Sequence, residues 1–320
     1  MIEKNVLSVE SIIEGLRGAS YIASRPIATA ILISYDLCKP ILVEGLAGVG
    51  KTELALATAD YLGMPLIRMQ CYDGLDETKS IYEWKYGKQL LYTQVLKDKI
   101  GDVLHDEDNL QSAMLRLHDF TDVFFSKQFL EPRPILKALE QKTGAVLLMD
   151  EVDKANEEFE ALLLEVLSAF QVTIPEIGTI KAKQPPIVFL TSNNTRDMGD
   201  ALKRRCLHLH IPLPDARLEE QIIGVRVPDI DTRLRRQLVN FVQSLREQNL
   251  KKLPSISETI DWARALVLLH ATELNVDLVR ETLNVLLKFE EDIIATAPII
   301  NELVNKSDRI VSDTTCAAPT

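Results

Sequence analysis

The sequence predicts an α/β fold, a parallel sheet flanked by helices, with a smaller all-α domain toward the C-terminus. Apolar runs rich in β-branched residues alternate with helical periodicity as far as Pro214, and this alternation is typical of a parallel sheet. Past Pro214 only helical periodicity remains. We therefore expect an α/β domain over residues 1–214, a helical domain over 215–306 and a disordered tail over 307–320, which is small and polar.

Short apolar runs give the predicted strands of the sheet. A continuous apolar run, without polar alternation, indicates a strand that is buried on both faces. Two further β-like segments surround Pro175–Gly178 and predict a β-hairpin within residues 171–183. The predicted sheet strands are Ile41–Val43, Leu66–Gln70, Ala145–Met149, Ile187–Leu190 and Leu207–Ile211.

Helical spacing of apolar residues gives the predicted helices. The last of them is expected to break near Pro298, because proline interrupts the helical hydrogen bonds. Before Pro214 the predicted helices are Val9–Gly18, Pro26–Leu37, Glu53–Leu62, Glu157–Phe170 and Gly199–Arg205. After Pro214 they are Arg217–Val225, Asp231–Gln248, Ser257–Leu269, Val276–Leu287 and Phe289–Val304.

Residues 71–130 form the least regular stretch, and we interpret them as an insertion in the α/β domain. The polar segment Gly101–Asn109 predicts a loop, and Leu110–Phe125 predicts an amphipathic helix. Tyr82, Trp84 and Tyr86 alternate along the chain. Such alternation is expected either of a strand face or of an exposed contact surface.

Composition narrows the class of protein. The chain has 320 residues, 46% of them apolar, and a net charge of −11, which argues against nucleic acid as a partner. Its four cysteines are far apart and form no C-x-x-C, so we expect reduced thiols in the cytoplasm. No signal peptide and no membrane span are expected, because the chain lacks a long apolar run.

A glycine-rich loop is the most specific motif of the sequence. Residues 45–52 read GLAGVGKT and match G-x-x-x-x-G-K-[ST], with an apolar strand before them and a helix after them. Glycines allow backbone N–H groups to point at phosphates, at the positive end of the following helix. Lys51 would reach the β- and γ-phosphates, and Thr52 would offer its hydroxyl to Mg²⁺. The predicted nucleotide-binding residues are Gly45, Leu46, Ala47, Gly48, Val49, Gly50, Lys51 and Thr52.

Two acidic residues and an asparagine follow the next buried strands. Asp150 and Glu151 end one apolar run, where an aspartate can hold Mg²⁺ and a glutamate can deprotonate an attacking water. Asn193 ends the following run, and an amide there can position water and the γ-phosphate. Asn194 is the competing candidate, and we favour Asn193 because it lies nearer the strand end. The same residues could also be ordinary turn residues.

Arginines supply a third group of candidates. Lys203, Arg204 and Arg205 form a basic cluster, which could be a nucleic-acid patch, a solvated helix end or an arginine finger. A finger would reach the nucleotide of a neighbouring subunit. Arg264 lies beside the apolar face of a predicted helix. It could extend along that surface or reach the phosphates from a closing lid.

Metal and thiol chemistry have weak support in the sequence. His208 and His210 would share one face of a strand, but two ligands without a third do not complete a closed metal site. The cysteines have no evident histidine partner, so thiol catalysis is not expected.

Taken in order, these motifs resemble those of the AAA+ ATPases, which are P-loop NTPases, and among them the MoxR family. The CoxD-type branch, associated with carbon monoxide dehydrogenase maturation, is the most similar. The similar stretches cover most of residues 25–270. They are ILVEGLAGVGKTELA (41–55), IRMQCYDGLDETKSIYEW (67–84), RPILKAL (133–139), VLLMDEVDKANEEFEALLLEVLSAFQVTIPEIGTI (146–180), VFLTSNNTRDMGDALKRRCLHLHIPLP (188–214) and ETIDWARAL (258–266).

The resemblance assigns a role to each candidate. It implies ATP and Mg²⁺ as cofactors, with Thr52 and Asp150 as the Mg²⁺ ligands. In the terms used for the family, Lys51 and Thr52 match the Walker A motif, and Asp150 and Glu151 match the Walker B motif. Asn193 matches sensor 1, and Arg264 matches sensor 2. Arg205 matches the arginine finger, with Arg204 as a close second.

The resemblance also implies an assembly and a kind of work. Family members form hexameric rings, and many act with a partner that carries a von Willebrand factor A domain. They remodel a metalloenzyme client to insert or activate its metal centre. The Tyr72–Trp84 region lies where a ring would present substrate-contacting loops. Two other functions stay open at this point: a DNA-associated AAA+ protein such as a loader, and a small-molecule kinase that uses the same loop.

Overall fold

Nine strands are found in the computed structural model, which describes residues 7–105 and 125–316. Five of them form one sheet. The strands are β1 (Ile41–Glu44), β2 (Leu66–Gln70), β3 (Tyr82–Trp84), β4 (Leu130–Pro132), β5 (Val146–Asp150), β6 (Gln171–Ile174), β7 (Gly178–Lys181), β8 (Ile187–Ser192) and β9 (Leu207–His210). The sheet order is β2-β5-β8-β1-β9, and β5 runs parallel to both β2 and β8. The predicted α/β fold class and the five predicted sheet strands are confirmed.

Helices fill most of the remaining described chain. Within these residues, no helix has both the length and the apolar character needed to cross a membrane. The helices before Pro214 are α1 (Val9–Gly18), α2 (Arg25–Leu37), α3 (Lys51–Leu62), α4 (Glu77–Ser80), α5 (Tyr86–His105), α6 (Pro134–Leu139), α7 (Glu157–Ala169) and α8 (Asp200–Arg205). Those after it are α9 (Ala216–Arg226), α10 (Thr232–Arg246), α11 (Ile256–Leu268), α12 (Val276–Leu286), α13 (Glu290–Thr296) and α14 (Ile300–Cys316).

Contacts between Cα atoms divide the chain into two compact units. The first unit comprises the chain up to Leu32, Val43–Tyr61 and the chain from Leu209 onward. The second comprises Ile33–Leu42 and Leu62–His208. The glycine loop belongs to the first unit, whereas Asp150 and Glu151 belong to the second. The domain boundary predicted at residue 214, by contrast, rests on the types of element on either side and stays a prediction.

The second unit is built around β5 and β8, whose residues are all buried. Their apolar sequences, VLLMD and IVFLTS, suit strands that are covered on both faces. Helix α7 begins at an N-cap, Asn156, whose side chain accepts from the Phe159 amide at 2.9 Å. The predicted hairpin is confirmed, because β6 and β7 pair antiparallel with Val172 opposite Ile180.

The predicted insertion begins with a strand and a long helix. Tyr82 and Trp84 lie half-buried in β3, which pairs antiparallel with β4, whereas Tyr86 is 64% exposed at the start of α5. The loop predicted over Gly101–Asn109 is wrong as far as His105, because α5 continues through Gly101. A single glycine costs a helix only about 1 kcal/mol relative to alanine. The helix predicted over Leu110–Phe125 lies outside the described residues except for Phe125.

A second apolar core lies among the helices after Pro214. Trp262 is fully buried, stands 5.3 Å from the Phe241 ring and donates its indole N–H to Thr282 Oγ1 at 2.8 Å. Phe289–Val304 is broken as predicted, because a short 3-10 turn containing Pro298 separates α13 from α14.

Helix α14 extends into residues 307–316, which were predicted to be part of a disordered tail, whereas residues 317–320 lie outside the described residues. The helix continues from Ile300 to Cys316, past Ser307, where the disorder was expected to begin. Leu303, Val304 and Ser307 are buried on one side of α14, and Asp308 accepts a hydrogen bond from Gln237 of α10. Burial and contact with α10 therefore extend to Ser307 and Asp308, the first two residues of the segment whose composition suggested disorder.

A buried ion pair connects α9 to α10. Glu219 is fully buried, and its two carboxylate oxygens accept from Arg246 Nη1 and Nη2, each at 2.8 Å. Gln243 Nε2 adds a third hydrogen bond at 2.6 Å, and Arg246 Nε donates to the Pro254 carbonyl. The carboxylate and the guanidinium thus satisfy each other in the bidentate geometry that suits arginine.

Substitution of Glu219 by glutamine should destabilise the first unit by about 3–5 kcal/mol, because it leaves the Arg246 charge buried without a counter-charge. Urea unfolding would measure this loss. The matched control is Glu273→Gln, since the Arg233–Glu273 pair is more than half exposed on both sides and should contribute less than about 1 kcal/mol. Equal stability of the two variants would contradict the prediction.

Candidate active site

The glycine loop between β1 and α3 needs glycine where a side chain would neither fit nor adopt the backbone angle. Gly45 and Gly48 have φ values of 156° and 79°, which side chains rarely adopt. A Cβ atom on Gly45 would lie 2.4 Å from the Ile211 carbonyl oxygen, and one on Gly48 would lie 2.2 Å from Ser255 Oγ. The loop is therefore packed closely on both sides.

Lys51 is held over this loop at the start of α3. Its side chain is almost fully buried, and its Nζ atom donates to the carbonyl oxygens of Gly45 at 2.6 Å and Leu46 at 2.9 Å. A buried ammonium that faces the loop can donate to phosphate oxygens. The structure thus brings Lys51 and the loop glycines together as predicted, and Thr52 follows in the same helical turn.

A small cavity of about 120 Å³ lies beside the loop in the first unit. Its walls are mostly apolar, and Tyr21 closes one side. Burial, and secondarily the Glu53 charge, raises the pKa of the Tyr21 phenol, so the ring stays neutral. Glu53 in turn pairs with Arg226 of α9 at 2.6 Å. The apolar lining consists of Ile22, Val49, Ile222, Ile256 and Ile260.

Helix α11 contacts the loop through its first turn. Ser257 donates its backbone N–H and its hydroxyl to the Gly48 carbonyl oxygen, at 3.1 Å and 2.9 Å. A capping box between Ser255 and Glu258 fixes the start of this helix. Arg264 lies two turns later, is exposed and pairs with Asp261 at 3.5 Å. Because residues seven apart share a helical face, Arg264 is on the side of α11 that bears Ser257.

Asp150 lies at the end of β5 in the second unit, and its side chain is 3% exposed. One carboxylate oxygen accepts from the Thr191 hydroxyl at 2.9 Å. The other accepts from Arg68 of β2, from Nε at 2.8 Å and from Nη2 at 2.7 Å. The parallel register of β2 and β5 places Arg68 beside this strand.

Glu151 is the centre of a polar network. Its backbone is left-handed, with φ of 57°, and its N–H donates to Thr191 Oγ1 at 3.0 Å. Its Oε2 atom accepts from Gln70 and from Lys154, both at 2.7 Å. Its Oε1 atom accepts from Asn193 Nδ2 at 3.3 Å. The predicted pair Glu151 and Asn193 is therefore in contact.

Asn194 has a different place from Asn193. Its backbone is left-handed, its side chain is exposed and its N–H donates to Ser192 Oγ at 2.9 Å, as in a turn. The Asn193 N–H instead donates to Asp153 Oδ1 at 3.3 Å, which holds Asn193 toward Glu151. This difference supports the choice of Asn193.

Helix α8 carries the two candidate arginines at its C-terminal end, and both are exposed. Arg205 donates to the Leu164 carbonyl of α7, so its guanidinium is held by its own chain. Arg204 has no such bond among the residues the structure describes. Buried Glu160 positions the loop before α8, since it accepts from the Gly199 N–H at 2.9 Å and pairs with Arg196.

Family comparison decides the class of protein. The profile of the AAA domain (dynein-related subfamily) matches residues 40–206, just over half of the chain. The chain belongs to this AAA family. The match begins one residue before β1 and ends one residue after α8, so it includes the glycine loop, Asp150, Glu151 and Asn193.

Relatives of this AAA-domain protein occur in staphylococci. Uncharacterized proteins of Staphylococcus aureus (strain NCTC 8325 / PS 47) and Staphylococcus epidermidis (strain ATCC 12228 / FDA PCI 1200) are 26% identical over 239 residues, which is 73% of this chain and 77% of theirs.

Solved structures with a similar fold include two bacterial proteins. A candidate ATPase of Cytophaga hutchinsonii is 14% identical, with a TM-score of 0.44 over 97% of this chain and 94% of its own. The RuvB Holliday junction branch migration motor of Thermotoga maritima is 15% identical, with a TM-score of 0.42 over 85% of this chain and 68% of its own.

Four residues that contact the candidate residues were not predicted: Arg68, Gln70, Asp153 and Ser257. Burial acts to raise the pKa of Asp153, but hydrogen bonds from the Thr195 hydroxyl and from the Thr195 and Asn193 amides together lower it. The carboxylate therefore stays charged and anchors the Asn193 loop. The only feature of the sequence that could have indicated Asp153 is its position two residues after Glu151.

The histidines and the buried cysteine lie in surroundings that do not favour metal binding or thiol catalysis. His208 and His210 are exposed on β9, and the described residues contain no group of three metal-ligating side chains of His, Cys, Asp or Glu. Burial, together with the charges of Asp150, Asp153 and Glu151, raises the pKa of the Cys71 thiol to about 12. Such a thiol stays protonated and is a poor nucleophile.

Proposed function

We propose that this AAA-domain protein binds ATP with Mg²⁺ and hydrolyses it to ADP and phosphate. The contact between Glu151 and Asn193 carries the proposal. A half-exposed carboxylate can accept a proton from water, while the amide beside it orients that water. A kinase would need an acceptor site in place of this water-activating pair.

Nucleotide binding is proposed for the glycine loop and the cavity next to it. Lys51 would exchange the carbonyl oxygens of Gly45 and Leu46 for phosphate oxygens, and the N–H groups of the loop would supply further donors. The apolar cavity closed by Tyr21 suits a flat purine base.

Magnesium would be held by the Thr52 hydroxyl and the Asp150 carboxylate, because Mg²⁺ prefers oxygen ligands. The Oδ1 atom of Asp150 is the one that suits a cation, because it accepts from the neutral Thr191 hydroxyl, whereas Oδ2 is already paired with the Arg68 guanidinium. Bound Mg²⁺ neutralises charge that develops on the phosphates. Arg264 is proposed to sense the γ-phosphate from the Ser257 face of α11.

Assembly into a hexameric ring is proposed because an arginine from a second subunit would complete the site. The resemblance puts Arg205 first and Arg204 second; we propose the opposite order, because the Arg205 guanidinium donates to the Leu164 carbonyl of its own chain. Both arginines are exposed, so the bond from Arg205 to Leu164 is what supports this order. A planar guanidinium suits the charge on the transferred phosphate.

The work that hydrolysis drives is proposed from the resemblance to the MoxR family. The client would be a metalloenzyme whose metal centre is inserted or activated in the cytoplasm, together with a partner that carries a von Willebrand factor A domain. Exposed Tyr72 and Tyr86 are available for such contacts. Affinity capture with the ATP-bound Glu151→Gln protein tests this, and recovery of nucleic acid in place of such proteins would contradict it.

Replacement of Lys51 by methionine should weaken ATP binding by about 10- to 100-fold, because a charged hydrogen-bond donor contributes about 1.5–3 kcal/mol. Methionine is an unbranched side chain of similar size, and it removes the charge together with the bonds to Gly45 and Leu46. Fluorescence titration with a labelled ATP analogue measures the affinity. Lys39→Met, an exposed lysine two residues before β1, is the control and should bind as the unmodified chain does.

A further inference from the structure

A second cavity lies in the first unit, and the proposed function makes no use of it. Its volume is about 600 Å³, which is in the range of small-molecule sites. It is formed by the end of α1, by α9 and by α10. We name it the arginine pocket, after Arg17, Arg217 and Arg235 in its walls.

The charges of the arginine pocket are unbalanced. Each of the three helices supplies one guanidinium, and Glu220 is the only carboxylate among the lining residues that the structure describes. One oxygen of Glu220 is shared between Arg235 Nη2 at 3.4 Å and Arg236 Nε at 3.2 Å. Neither Arg17 nor Arg217 has an ion-pair partner within residues 7–105 and 125–316. The pocket is therefore cationic in a chain of net charge −11.

Arg235 is the most enclosed of the three arginines. Its side chain is 24% exposed, and its Nε atom is buried with no hydrogen-bond acceptor among the described residues. Gly224 allows this position, because a Cβ atom there would lie 2.6 Å from Arg235 Nη1. A buried donor without an acceptor calls for an explanation, and a site built to receive an anion is one.

We propose that the arginine pocket binds a small anion with two or more phosphoryl groups. Guanidinium groups bind phosphate oxygens in a bidentate manner, and three of them from separate helices suit an anion with several charged oxygens. The ligand would join α1, α9 and α10 and would supply the counter-charge that Glu220 gives only in part. Gln221, also in the lining, offers an amide donor.

Calorimetric titration of inorganic pyrophosphate into the full chain with Lys51→Met tests the proposal. This background weakens phosphate binding at the glycine loop, so the result does not depend on the proposed ATPase activity. We expect one pyrophosphate per chain. The double variant Arg17→Gln/Arg217→Gln should bind it at least tenfold more weakly, and both residues are exposed, so the fold should persist.

Arg233→Gln is the matched control, because Arg233 is on α10 outside the pocket and pairs with Glu273. It should leave pyrophosphate affinity unchanged. No binding by the Lys51→Met chain, or equal binding by the double variant, would overturn the proposal. Binding of citrate with no binding of pyrophosphate would also overturn it, because the site would then select carboxylates.

Discussion

Replacement of Glu151 by glutamine should reduce ATP turnover by about 10²–10⁴-fold, which is the range that general base catalysis contributes. Glutamine has nearly the same shape, and its carbonyl oxygen can still accept from Asn193, but its NH₂ group cannot accept from Gln70 or Lys154, and it cannot take the proton of the attacking water. Nucleotide affinity should therefore stay close to that of the unmodified chain. Phosphate release under saturating ATP and titration with a labelled nucleotide would measure the two quantities separately.

Glu157→Gln is a suitable control for this experiment. Glu157 is an exposed carboxylate in the first turn of α7, six residues after Glu151, and it should be neutral for turnover. If the Glu151→Gln protein hydrolysed ATP at the normal rate, the assignment of Glu151 as the base would be wrong. Loss of ATP binding together with turnover would indicate a structural role instead.

Replacement of Arg204 by alanine should have a comparable or larger effect, because an arginine finger contributes about 10³–10⁵-fold in related phosphoryl-transfer sites. The Arg205→Ala protein should lose much less. Both arginines are exposed at the end of α8, but Arg205 already donates to the Leu164 carbonyl of its own chain. Turnover at concentrations where the protein is assembled provides the measurement.

Mixing experiments show whether Arg204 acts on a neighbouring subunit. An Arg204→Ala subunit keeps its own Glu151 and could receive Arg204 from a Glu151→Gln neighbour. A mixture of the two inactive proteins should therefore regain part of the activity. Without such recovery, and with a strong loss in Arg205→Ala alone, the order of the two arginines would be reversed.

The parts of the site that follow a local pattern could be predicted from the sequence. The glycine loop is a contiguous motif, and Asp150 and Glu151 are marked by the buried strand directly before them. The contact between Glu151 and Asn193 also follows from pattern, since β5 and β8 are neighbouring parallel strands. Local patterns of this kind predict strands, helices and the residues at their ends without knowledge of any tertiary contact.

Contacts between distant residues could not be predicted in this way. Ser257 and Gly48 are 209 positions apart, and nothing in the helix sequence distinguishes Ser257 as a partner of the loop. The sequence favoured Arg264 as the residue of α11 that reaches the nucleotide, because arginine is the expected phosphate ligand. The contacts that the structure describes between α11 and the loop instead come from the first turn of the helix. Gln70 reaches Glu151 only because the two strands are adjacent in the sheet.

Composition misled the prediction where tertiary packing decides order. The segment from Ser307 onward is small and polar, yet helix α14 continues into it, with Ser307 buried and Asp308 accepting a hydrogen bond from Gln237 of α10. A helix of marginal propensity is stabilised mainly by such packing, which a local window of sequence does not contain.

The ion pair between Arg68 and Asp150 has a consequence for how the protein matures. Many metal sites are formed by clustered carboxylates that repel one another until the ion arrives, which makes folding depend on the supply of metal. Here the guanidinium serves as a counter-ion from the chain itself, so the buried aspartate is already neutralised when β2 and β5 pair. A newly synthesised chain can thus complete this part of its fold before it meets the magnesium ion and the nucleotide that we propose as its ligands.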